Sequence, residues 1–190
     1  MKKHKRLLSI GLTFMLLFSM TQIAFAENWY SVPNVPVIQQ AKTQWCWAAA
    51  GEMAGKAFDP YSTKNQTSGV YYVRGNYLNE PGYSREAAAV AQYVCSNKKT
   101  FYVNQYTWSM SNIRRDIMTY KSPLIFLAGY YDNYGNRNGG HFVTGDAVYE
   151  VSNYLRYKDS WDATTHWCTY SSFSDGSYNG RQYEETIYAR

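Results

Sequence analysis

Hydrophobic positions follow two different periods along this chain, and the change from one to the other divides it. Val32-Pro33-Asn34-Val35-Pro36-Val37-Ile38 is an extended lead-in, because each proline holds the residue before it in β or polyproline geometry. Trp47, Ala50, Met53, Ala54, Ala57 and Phe58 then recur near the helical period, which predicts a helix from Trp45 to Phe58 that Asp59-Pro60 stops. Residues 59–83, crowded with Gly, Asn, Pro and Ser, read as loop with room for one short helix. Ser84 is positioned to cap a second helix through Ala87-Ala88-Ala89 to about Cys95. Ile113, Ile117 and Tyr120 share a face of a third, from Ser109 to Tyr120. After Ser122-Pro123 the period shortens. Leu124-Ile125-Phe126-Leu127-Ala128 reads as a buried strand, and Gly139-Gly140-His141-Phe142-Val143-Thr144 begins another. Tyr154 to Lys158, Trp167 to Tyr170 and Tyr183 to Tyr188 follow as further strands. Helices first and a mostly antiparallel sheet after make the fold class α+β, with no internal repeat and no low-complexity segment.

The amino terminus has a separate character. Lys2, Lys3, Lys5 and Arg6 precede an apolar run from Leu7 to about Ala24, and Ala24-Phe25-Ala26 forms a small-x-small cleavage pattern. Ser9, Gly11, Thr13, Ser19, Thr21 and Gln22 interrupt the run and make it poor as a permanent membrane span. Residues 1–26 are therefore expected to be a cleaved signal peptide. The remaining 27–190 is one domain's length, secreted and without stable membrane association. Four of the 19 basic residues lie in the leading segment, so the mature chain is nearly neutral against 14 acidic ones. The precursor's basicity thus does not argue for nucleic acid, and no Walker loop, dinucleotide fingerprint or basic-aromatic array is present. The 20 tyrosines and 6 tryptophans suit sheet surfaces and the walls of a cleft.

Three cysteines are an odd number for an exported chain. A bridge between Cys95 and Cys168 would leave Cys46 as a thiol, as a nucleophile requires; three unbridged thiols are the alternative. Cys46 stands at the start of the first predicted helix, where unpaired N–H groups and the helix dipole favour thiolate. Gln40, six residues before it, can fold its amide back beside the thiol. With the Cys46 backbone N–H it would make a two-donor oxyanion hole. Gln39 and Gln44 are its neighbours and rivals.

His141 follows Gly139-Gly140 and enters an apolar strand, so its ring can project into a cleft that the glycines leave open to a substrate backbone. His166, in a polar strand two residues from Cys168, reads as structural or exposed. Asp159, in Asp159-Ser160-Trp161, ends the next predicted strand, where it can accept from His141 and fix its tautomer. Trp161 would shield that hydrogen bond. Asp146 and Asp162 compete for the role. No CxxC, HxxxH or HExxH spacing appears, so no metal and no cofactor is expected.

These segments resemble a known group. Gln40 to Ala50 (QAKTQWCWAAA) looks like the nucleophile segment of papain-like cysteine peptidases. Gly139-Gly140-His141 and Asp159-Ser160-Trp161 look like their histidine and third-residue segments, in the same order. Aspartate at the third position, with the Val35-Pro36-Val37-Ile38-Gln39-Gln40 lead-in, is similar to a bacterial branch that includes bacteriocin-leader peptidases and secreted effector proteases. The resemblance implies a helical lobe carrying Cys46, packed on a sheet lobe carrying His141 and Asp159. Trp47, Gly140 and Trp161 would support the cleft between them. It implies a monomeric hydrolase of protein or peptide bonds working through a Cys–His–Asp triad and a thioester. Two features depart from papain itself. The bulky Trp45 precedes the nucleophile and would narrow the cleft, and no inhibitory prodomain is expected between the cleavage site and Val35. A peptidoglycan hydrolase, a transglutaminase and an inactive binding module are the competing functions.

Overall fold

The computed structural model describes residues 28–190; the expected signal peptide, residues 1–26, lies outside them. The elements are β1 (Trp29–Ser31), α1 (Cys46–Phe58), α2 (Gln66–Arg74), α3 (Ser84–Val94), β2 (Phe101–Asn104) and α4 (Met110–Arg114), which continues as a π-helical turn (Arg115–Thr119). β3 (Leu124–Tyr131), β4 (Arg137–Tyr149), β5 (Tyr154–Asp159), β6 (Thr164–Thr169), α5 (Tyr170–Asp175) and β7 (Arg181–Ala189) follow. Every strand pairing is antiparallel, in the order β2-β7-β3-β4-β5-β6. β1 adds to β4 at Ala147–Tyr149, beyond the point where β3 leaves it. The helices precede the sheet, as the α+β reading anticipates. Among the described residues no helix is long and apolar enough to cross a membrane.

The predicted helix around Cys46 begins at Cys46 itself, with Trp45 as its cap residue, and Asp59 ends it. The short helix allowed in residues 59–83 is α2, closed at its start by the Asn65 side chain accepting from Ser68 N–H and at its end by left-handed Gly75. α3 starts one residue before the expected position. Tyr83 is the cap residue, and its N–H donates to Glu86 Oε2 at 2.8 Å. Ser84 is freed for a contact elsewhere.

α1 and α3 touch through small residues. A Cβ on Gly51 would lie 2.7 Å from Ala87 O, and one on Gly55 would lie 2.7 Å from Ala91 O. The two backbones therefore meet along an i, i+4 row on each helix. A helix-interior glycine costs about 1 kcal/mol in propensity, so the packing must outweigh that. Gly55→Val regains part of the propensity but drives methyl groups into Val94 and the Ala91 carbonyl. It is expected to destabilise the protein by about 1–3 kcal/mol, read as a lower denaturant midpoint at unchanged slope. An unchanged midpoint would show that the helices can separate without loss.

The sheet packs on both faces. Thr144 in β4 donates its hydroxyl to Ala50 O of α1 at 3.2 Å. On the other side Phe173 of α5 packs against Phe126, Tyr183 and Tyr157, with ring centroids 5.2–5.6 Å apart. Burial of β3 on both faces explains its unbroken apolar run. The reading missed the short strands β1 and β2 and the helix α5, each too brief to show a period.

The bridge between Cys95 and Cys168 is corrected: all three cysteines are free. Cys95 caps the end of α3, its thiol directed to Gln92 O and Lys99 O. Cys168 lies on β6 at one edge of the sheet, whereas residues 99–101 lead into β2 at the opposite edge. Several strand spacings of about 4.8 Å separate those edges, too far for a disulfide.

Candidate active site

The start of α1 is anchored from several directions. Trp45 N–H bonds Lys42 O, and Trp45 O accepts from both Ala48 and Ala49 N–H, which turns the chain into the helix. The indoles on either side of Cys46 point inward. Trp45 Nε1 donates to Leu78 O at 2.9 Å and Trp47 Nε1 to Glu80 O at 3.3 Å. Gln44 N–H bonds the Asn79 side chain, and Lys42 Nζ bonds Tyr77 O. Cys46, between two buried tryptophans, stays half-exposed with its side chain toward His141. Trp45 therefore does not narrow the cleft; it is 1% exposed and belongs to the core. Trp47 supports the 80–82 segment, since its ring leaves no room for a Cβ on Gly82 (2.4 Å) and the Arg74 guanidinium covers it at 4.6 Å.

His141 lies in the first half of β4 rather than at a strand end, because that strand runs 13 residues. Asp159, the last residue of β5, pairs with Val143, two residues on from His141, so both side chains stand on one face. His141 Nε2 meets Asp159 Oδ1 at 2.6 Å, with both residues buried. Nε2 so engaged leaves Nδ1 for Cys46. Burial alone would lower the imidazole pKa. The hydrogen bonds to Asp159 and Cys46, and their charges, outweigh it and raise His141 to about 9. Burial would likewise raise the Asp159 carboxyl, but His141, the Trp161 N–H (2.8 Å) and Arg181 (Nη1 to Oδ2, 2.7 Å) hold it well below the usual carboxylate range. The Trp161 contribution is thus a main-chain hydrogen bond, and its indole is 57% exposed.

Arg181 is the residue that sequence reasoning missed. It opens β7 opposite Tyr130, lies 5.5 Å over that ring, and closes the second oxygen of Asp159. Only its place after Asn179-Gly180 was visible in the chain, and that signals a turn, not a partner.

The rivals have other partners. Asp146 is buried in a two-point bond with Arg156 (2.9 and 2.7 Å), with Lys158 at 3.3 Å. Asp162 bonds Thr164 and His166, whose ring stacks on Tyr157 at 5.2 Å. Gln39 receives a bond from Gln66 Nε2 on its carbonyl, and the Gln44 side chain is exposed. Gln40 does bridge the two halves: its N–H bonds Ser160 O at 2.9 Å and its Oε1 accepts from the Ser160 hydroxyl at 3.1 Å. Its amide nitrogen, however, donates to Lys42 O and Thr43 O (3.0 and 2.8 Å). One of those bonds must be exchanged before Gln40 can serve an oxyanion. The Cys46 N–H, first in its helix, belongs to the set that has no carbonyl within the helix.

Asp159, Asp162 and His166 form one metal-competent grouping among the described residues. Both oxygens of Asp159 already accept strong hydrogen bonds, and its arginine partner supplies the positive charge locally.

No protein-family model matches this chain, and no curated protein matches it by sequence. Solved structures do. Xylellain, a cysteine protease from Xylella fastidiosa, aligns over 87% of this chain and 87% of its own, with TM-score 0.55 and 12% identity. Interpain A, a cysteine protease from Prevotella intermedia solved as the active wild type, aligns over 84% of this chain and 94% of its own, with TM-score 0.50 and 13% identity. At that identity the likeness establishes the fold: the chain has the papain-like arrangement of a helical part packed on an antiparallel sheet.

Proposed function

We propose that this protein is a secreted cysteine peptidase, with Cys46 as nucleophile, His141 as its acid–base partner and Asp159 as the group that orients His141. The observation that carries this reading is the chain of contacts itself. A half-exposed thiol at a helix start meets one nitrogen of a buried imidazole whose other nitrogen is held 2.6 Å from a carboxylate. With a pKa of about 9, His141 is an imidazolium at neutral pH, the form that stabilises a neighbouring thiolate and can later give up a proton.

In the proposed reaction the Cys46 thiolate attacks a peptide carbonyl. The Cys46 N–H and a released Gln40 amide hydrogen stabilise the oxyanion. His141 Nδ1 gives its proton to the leaving amine, and the neutral imidazole then takes a proton from water as it hydrolyses the thioester. Bonds from Trp161 and Arg181 keep Asp159 anionic and fixed, so it can hold the ring in the tautomer this cycle needs.

The test is labelling and turnover of the exported protein. A thiol-directed epoxide should modify Cys46 and neither Cys95 nor Cys168, and casein should be cleaved by a mature chain beginning at Glu27. Release from peptidoglycan, or amine incorporation, without casein cleavage would move the assignment to another cysteine acyl-transfer enzyme. An unlabelled Cys46 would support a binding protein.

A further inference from the structure

We infer that Gln66, held in place by the buried Glu52, is the positioning residue of the oxyanion site: its side-chain amide fixes the backbone that carries Gln40 relative to Cys46. The inference rests on the peptidase reading above. It starts from a buried carboxyl that the proposed reaction does not use. Glu52 lies further along α1, the helix that Cys46 begins, and both it and Gln66 are buried. A carboxyl inside a protein is costly unless it is bonded. Burial raises the Glu52 carboxyl, and the Gln66 N–H and the Lys56 ammonium oppose the rise. Gln66 is the first residue of α2, so its N–H has no partner within that helix; it donates to Glu52 Oε2 at 2.8 Å. Glu52 therefore ties the start of α2 to α1.

The Gln66 side chain carries that tie to the loop before the nucleophile. Its Nε2 donates to Gln39 O at 2.9 Å, and its Oε1 accepts from Ala41 N–H at 2.8 Å. These two groups flank Gln40. In an extended segment the carbonyl before a residue and the N–H after it point to one side, and the residue's own N–H points to the other. The bonds follow that pattern, because Gln40 N–H donates the opposite way, to Ser160 O at 2.9 Å. One buried amide thus acts as a strand neighbour to Gln40 from the helical part, while Ser160, next to Asp159, holds it from the sheet. Cys46 and Gln40 are thereby referred to the same helix. The anchorage matters because the Gln40 amide must exchange a bond with Lys42 O or Thr43 O to reach an oxyanion. The backbone beneath it has to stay fixed during that exchange. The bonds of Gln66 and Glu52 go to each other, to Lys56 and to the loop, so they act on the reaction only through Gln40.

Gln66→Met keeps the side-chain length and removes both bonds to the loop. Gln39 and Ala41 are exposed residues, so water replaces the lost bonds. The test is steady-state kinetics of the mature protein on a fluorogenic peptide drawn from a casein cleavage site, beside alkylation of Cys46 by iodoacetamide. Alkylation forms a C–S bond as iodide leaves and develops no oxyanion. The variant should lose about 10–100-fold in kcat, as a displaced oxyanion donor does. KM and the alkylation rate should stay within about twofold, and in a Gln40→Ala background the same substitution should cost less than about twofold more. Gln66→Asn keeps the amide on a stem one methylene too short to reach both groups. It is read in the same way and serves where Gln66→Met does not fold. An unchanged kcat, an equal loss in alkylation, or an undiminished loss in the Gln40→Ala background overturns the positioning role and leaves the peptidase reading intact. Absence of Cys46-dependent cleavage by the native protein overturns both.

Discussion

Cys46→Ala is expected to lower kcat/KM for peptide hydrolysis by at least about 10⁴-fold while leaving the fold intact. No other thiol can substitute. Cys95 is fully buried at the end of α3, and burial pushes the Cys168 thiol up to about 12. The change should not cost stability, because alanine is the better helix former and Cys46 is only half-buried at a helix start. His141→Ala is expected to lower activity to a similar degree, since the thiol then loses its proton acceptor and the leaving amine its acid. The measurements are steady-state kinetics and thermal unfolding on the same preparations. Retained turnover in either variant would assign the chemistry to another group. Lost turnover with a lost transition would show only that the variant is unfolded.

Asp159→Asn has the second largest expected effect, and its sign is set by the His141 environment. Burial lowers the imidazole pKa and Asp159 is the foremost group raising it, so losing the carboxylate charge must bring His141 down from about 9. Activity that needs the imidazolium proton is present below that pKa and lost as pH rises through it. The alkaline limb of the kcat/KM profile should therefore stand near 9 in the native protein and move to lower pH in Asp159→Asn, with a loss of about 10²–10⁴-fold at the optimum. Arg181→Met gives the opposite displacement. Removing a cation from the second oxygen of Asp159 leaves the carboxylate's charge to His141, so the limb should rise while kcat falls with the loosened carboxylate. Arg181 is in this sense a positioning residue. A shift of both variants in one direction would contradict the arrangement, because a purely structural loss has no reason to move the limb in opposite senses.

The two variants also mark where sequence reasoning ended. Asp159 was readable because its surroundings carry a motif, Asp-Ser-Trp, that resembles one in papain-like peptidases. Arg181 has no such neighbours, and its meaning comes from the β3–β7 pairing that sets it beside Tyr130 and above Asp159. The same holds for the wall of the cavity beside Gly140. Glu184 and Glu185 are adjacent in the chain, and only the register step in β7 directs both into one cavity. Trp45 erred for a related reason: its bulk was visible, but not the Leu78 carbonyl that draws its indole inward.

What the chain determined alone was whatever neighbouring residues decide among themselves. The small-residue helix ended by Asp59-Pro60, the apolar β3 run and the change of period that makes the fold α+β are of this kind, since backbone geometry and side-chain period act over a few residues. The order of Cys46, His141 and Asp159 was also legible, through resemblance. Tertiary structure decided the rest. It separated Cys95 from Cys168, turned Asp146 to Arg156 instead of His141, committed the Gln40 amide to Lys42 and Thr43, and added Arg181 to the site. Each of these depends on which distant segments are brought within a few ångströms, and hydrogen bonds and ion pairs act only at that range.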